Sequence, residues 1–95
     1  MEAFDRFTGE VTSCDEKGAW HCLAIPAEFN EVLRGFPQGH FGYVPITAKI
    51  SSSQWDTSFL PKGDGSYFFT LPAKVRKAQH IFRGDVVTVE FCPRP

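Results

Sequence analysis

Lys74, Arg76 and Lys77 fall within four residues, directly behind Leu71-Pro72-Ala73. Proline has no N–H and fits the first turn of a helix, so the spacing predicts a short helix carrying its cations near the start. Positive charge there opposes the helix dipole, at a cost of roughly a few tenths of a kcal/mol on an exposed surface. Free N–H groups, dipole and side chains would all attract the same partner, an anion. Phosphate, nucleic acid or an acidic partner fits that chemistry. The competing reading is a solvated helix face, since charge runs commonly do no more than face water. Lys62 belongs to the same segment: residues 62–83 hold five Lys/Arg and only one acid, Asp64. Residues 1–61 carry four Lys/Arg against eight Asp/Glu, and the whole chain has a net charge of −1. The basic patch is local, without a global pull toward nucleic acid or anionic lipid.

Trp55, with Trp20, Tyr43 and Tyr67, could line a ligand pocket or a peptide groove. Aromatics at strand positions otherwise serve as core or cross-strand pairs. His21, His40 and His80 are scattered. Cys14, Cys22 and Cys92 are odd in number and lack CxxC spacing, so we expect neither a disulfide framework nor a zinc site. No nucleophile, base and orienting group converge in the spacing. We therefore assign no catalytic residues, no metal ligands and no cofactor. Asp64 and Asp85 each follow a glycine and read as turn caps.

These residues need a scaffold, and 95 residues support one domain with one modest core, 1–95. The hydrophobic fraction of 42%, with ten phenylalanines, is enough for a small fold without staples. Phe4 to Thr12 alternates and predicts a strand; a polar loop from Ser13 to Gly18 leads to a second strand, Trp20 to Ile25. Pro26 repeats the device of Pro72, and Phe29, Val32 and Leu33 share one face of a short helix. Glu28 and Glu31 lie near its first turn. Phe41 to Ile50 predicts a long strand with Val44, Ile46, Ala48 and Ile50 facing in, and Pro45 suggesting a bulge or an edge. Gln54 to Leu60 and Tyr67 to Leu71 are strands flanking a Gly-Asp turn. Val75, Ala78 and Phe82 form the apolar stripe of the basic helix. Gly84-Asp85 turns the chain into a last alternating strand through Val87, Val89 and Phe91.

Ile25-Pro26-Ala27, then Phe29 and Phe36, is echoed 46 residues later by Leu71-Pro72-Ala73, then Val75 and Phe82. Each half reads strand, proline-started helix, glycine-bearing loop, strand. Such halves cannot each close a core, but paired they form one barrel. We expect a mainly β fold: a small closed or split β-barrel of about six strands, with two short helices and an internal pseudo-twofold repeat.

Trp55, Leu60-Pro61, Gly63-Asp64-Gly65, Tyr67, Leu71-Pro72, Val75-Arg76-Lys77-Ala78, Ile81 and Gly84-Asp85-Val86-Val87, with Phe7, Glu10-Val11, Trp20 and Ile25-Pro26, resemble a small bacterial family of unknown function built on a double-split β-barrel. Its members occur alone or fused to a YdeI/OmpD-associated domain. The half from Leu71 to Asp85 is also similar to the swapped-hairpin unit of AbrB-type DNA-binding regulators, in which two chains build one barrel. The resemblance implies the fold and implies no catalytic residues.

We therefore expect a non-enzymatic binding module, acting as a monomer, whose contacts to a small anionic ligand or protein partner involve Lys62, Lys74, Arg76, Lys77 and Trp55. DNA binding of the AbrB type is disfavoured, because a duplex reader presents two symmetric basic surfaces and Glu28 and Glu31 stand where the second would be. A small enzyme with a pocket near Trp55 is the alternative. The N-terminus MEAFDRFTGE lacks an apolar run and no segment is long enough to span a membrane, so a cytoplasmic location is expected.

Overall fold

The computed structural model describes residues 4–14, 20–36, 38–39 and 42–94. His40 and most of the loop predicted from Ser13 to Gly18 lie outside the described residues. Seven strands appear: β1 Asp5–Glu10, β2 Thr12–Ser13, β3 His21–Ala24, β4 Val44–Ile50, β5 Ser53–Pro61, β6 Tyr67–Thr70 and β7 Val86–Pro93. A 3-10 turn, Ala27–Phe29, runs into helix α1, Asn30–Arg34; helix α2 is Ala73–Gln79.

The strands form one antiparallel sheet in the order β1-β7-β4-β5-β6-β3-β2. Its two ends, β1 and β2, are halves of one strand interrupted at Val11. The first half pairs with β7 and the second with β3. At the break, Val11 turns its backbone to the loop before β7, donating to Asp85 O and accepting from Gly84 N, both at 2.8 Å. Strand β5 does the same on the other side: residues 53–59 pair with β4, while Leu60 and Pro61 pair with β6. These two bent strands curl the sheet into a small split barrel. The predicted six strands become seven because the first is broken at Val11.

Alternation puts the core inside the curl. Val44, Ile46, Ala48 and Ile50 are all buried, as their period of two requires. Four fully or nearly buried phenylalanines hold the centre: Phe7 lies 6.2 Å from Phe59, 6.5 Å from Phe69 and 6.0 Å from Phe91, ring centre to ring centre. Tilted and edge-to-face pairs of this kind add to area burial. Ala48 stands opposite Trp55 on one side and Phe91 on the other, a small residue between two large ones.

Three expectations need correction. Phe82 does not continue the α2 stripe: it is 68% exposed. The helix ends at Gln79 because His80 adopts a left-handed conformation, φ 54°, and Ile81 is the residue that turns inward and is buried. Pro45 marks neither a bulge nor an edge, since β4 lies between β5 and β7. Its carbonyl accepts from Arg94 N at 3.0 Å, so its missing donor falls where the β7 ladder runs out. Finally, Cys14 and Cys22 are joined by a disulfide. Their spacing of eight residues carries no motif, but the pairing of Thr12 with Cys22 brings the two sulfurs across the β2–β3 hairpin.

Candidate functional site

Helix α2 is seated by few groups. Val75 is its buried residue, and Gln79 Nε2 donates to Ser53 Oγ at 2.9 Å and Ser52 Oγ at 3.1 Å at the β4–β5 turn. This lays the helix along the start of β5. Ser53, Gln54 and Trp55 from the strand, with Lys74, Val75 and Ala78 from the helix, line a cleft of about 150 Å³. Trp55 packs its ring on Phe69 at 5.9 Å, and its Nε1 is buried with no hydrogen-bond acceptor among the described residues. Two residues singled out in the sequence, Trp55 and Lys74, therefore share one site.

The two halves differ at matching positions. With the 46-residue offset, Phe29 corresponds to Val75 and Val32 to Ala78. Phe29 fills its place, with its ring 6.4 Å from Phe7 and 5.7 Å from Phe91. Valine and alanine occupy less, and space remains beside Trp55. The charges differ too: Glu28 and Glu31 correspond to Lys74 and Lys77.

The other predicted residues are dispersed. Arg76 is half-buried, and its Nε donates to Leu71 O at 3.3 Å. It lines a separate groove of about 330 Å³ with Trp20, His21 and Pro72. Lys77 is exposed, three residues from Lys74 on the same flank. Helix α2 is only seven residues long, so Arg76 and Lys77 fall in its last turn, where their charge suits the dipole, and Lys74 alone of the three lies near the start as expected. Lys62 lies on a third groove, at about 590 Å³ the largest of these three, with Cys14, Cys22 and Asp64. Trp20 is 59% exposed and Tyr67 is buried, so the four aromatics do not converge on one pocket. Cys14 and Cys22, bonded to each other, present no thiol beside His21.

Both aspartates cap turns as read. Asp64 Oδ1 accepts from the Ser66 hydroxyl and from Ser66 N at 2.9 Å. Those two hydrogen bonds, the hydroxyl's the stronger, with help from the Lys62 ammonium, hold its carboxyl below the usual range. Asp85 Oδ2 accepts from Phe82 N at 2.8 Å. Ser53 and Gln54 carry no mark of a cleft in the sequence, because polar residues in a strand leave no periodic signal of their own.

A pair of strand–helix–strand halves closed into one split barrel, with a cation-rimmed cleft beside the helix of the second half, defines a small β-barrel domain. The chain belongs to the family described as Domain of unknown function (DUF1905), whose model matches residues 7–91. A comparison with curated proteins finds no match. No helix among the described residues is long and apolar enough to cross a membrane.

Proposed function

We propose that the chain is a non-enzymatic binding module that holds a small anionic group, a phosphate or a carboxylate, in the cleft between β5 and α2. The observation that carries this is Trp55: a buried indole N–H without an acceptor, on a side chain that shares a cleft with Lys74. A buried donor left unsatisfied costs about 1–3 kcal/mol. An anion supplies the acceptor and meets the Lys74 ammonium, with Lys77 close enough along the helix to add to the field. At about 150 Å³ the cleft has room for roughly five waters. It takes a charged head group rather than a whole nucleotide.

The alternatives are less well supported. Among the described residues no nucleophile and base pair lines this cleft, and the Ser53 hydroxyl is engaged by Gln79. Duplex DNA would require a second basic surface, and the 3-10 turn and α1 offer Glu28 and Glu31 there.

Thermal unfolding with inorganic phosphate, with acetate and with chloride at constant ionic strength tests the proposal. A bound anion raises the midpoint progressively with concentration. We expect phosphate or acetate to do so beyond chloride, and Lys74→Gln to abolish the excess. Equal responses to all three salts, or an unchanged response in the variant, would refute anion binding at this site.

A further inference from the structure

We infer that the Cys14–Cys22 bridge is a thiol-exchange site, at which a low-molecular-weight thiol bearing a carboxylate forms a reversible mixed disulfide with Cys14. The bridge spans the β2–β3 hairpin with Cα atoms 5.7 Å apart. Its two ends differ sharply: Cys14 is exposed, whereas Cys22 is only 3% exposed. Both line the 590 Å³ groove, together with Thr12, Ser13, Lys62 and Asp64. That volume is within the range of small-molecule sites, about 300–1,000 Å³, and far exceeds the β5–α2 cleft. Lys62 offers a cation for the carboxylate of an incoming thiol and favours its thiolate form.

The position of the bridge suits exchange better than permanent stapling. The next residue along β3, Leu23, points into the core and is fully buried, while Cys22 lies on the opposite side of the strand, outside the core cluster. Opening the bridge therefore removes one cross-strand link at the two-residue β2 pairing and leaves Leu23 in the core cluster.

The step balances without an added oxidant. The incoming thiolate attacks Cys14 Sγ, the accessible sulfur. An S–S bond forms between them as the Sγ–Sγ bond breaks, and the electron pair leaves on Cys22 Sγ, which takes a proton from water. In the reverse direction the Cys22 thiolate attacks Cys14 Sγ and expels the small thiol.

The test uses the full chain and glutathione as probe. Thiol counting on the unfolded, unreduced protein should give one thiol, Cys92; three would overturn the proposal at the start. Incubation with mixed reduced and oxidised glutathione, acid quenching and peptide mapping should then place one adduct on Cys14. Cys22→Ser, which cannot resolve the adduct, should accumulate it at Cys14. Cys14→Ser should gain none at Cys22. Lys62→Gln should slow opening by glutathione about two- to fivefold, the scale of an exposed ion pair, while leaving opening by uncharged mercaptoethanol unchanged. An adduct on Cys22, or equal slowing with both thiols, contradicts the assigned geometry. Near-ultraviolet circular dichroism checks that each variant keeps its core.

Discussion

Leu23 and Phe69 stand directly opposite each other on β3 and β6, and they are also each other's counterparts in the 46-residue repeat. A pair related in both ways marks where a local twofold axis crosses the sheet. Cys22 faces Thr70 and Ala24 faces Phe68 on either side of it, as that symmetry requires. Strands β4 and β7, the last of each half, pair in the same like-with-like manner through Ala48 and Phe91. Two interlocked halves thus bury one core that neither could close alone.

The phenylalanines divide sharply by position. Phe69 is fully buried among Phe7, Phe59 and Trp55, so Phe69→Ala should cost about 3–5 kcal/mol in urea unfolding. Phe82→Ala should change stability by less than about 0.5 kcal/mol, although the sequence pattern ranks it with the core.

Much of this was legible beforehand, and the failures have specific causes. Alternation through Val44–Ile50 and Val87–Phe91, and the two proline-led helices, gave the order of elements and the repeat, because period and proline act locally. The end of α2 was misjudged because His80 takes a left-handed backbone that nothing in its type demands. The disulfide was missed because it depends on hairpin register. Trp55 and Lys74 were each singled out, yet 19 residues separate them and only the docking of α2 on β5 brings them to one cleft.

The two helices make a stability–binding contrast. Lys74→Glu with Lys77→Glu gives α2 the charges that Glu28 and Glu31 place at the matching positions of the first half. The acid at 74 lies in the first turn and suits the dipole, while the acid at 77 lies in the last turn and opposes it. The two effects offset, and the double variant should keep its stability to within about 0.5 kcal/mol. Its response to phosphate should vanish. Urea midpoints and phosphate titrations on the same sample separate the two effects.

Glycines should respond with opposite sign. Gly84 holds φ 94° in open space, so Gly84→Ala meets no atom but forces a side chain into a left-handed backbone, costing about 1–2 kcal/mol. Gly35 closes α1 with φ −84°, and an added Cβ makes only ordinary contact with Val32 O at 3.5 Å. Gly35→Ala should be neutral or stabilising by up to about 1 kcal/mol. Thermal midpoints of the two variants give the comparison.

The Asp64 turn should be acid-sensitive. Its carboxyl is held low by the Ser66 hydrogen bonds and Lys62. A depressed folded-state value means that the turn's contribution is complete above the ordinary carboxylate range and is lost as pH falls through the folded value. Wild type should lose more of its thermal midpoint than Asp64→Asn between neutral and strongly acidic pH. Parallel curves for the two would remove this role.

The anion cleft is tested most directly by the indole N–H resonances of Trp20 and Trp55 during a phosphate titration at constant ionic strength. The Trp55 signal should move and saturate, the Trp20 signal should stay in place, and Lys74→Glu should abolish the movement. A Trp55 signal that stays still, or that moves in step with Trp20 in both proteins, would contradict an anion bound at the β5–α2 cleft.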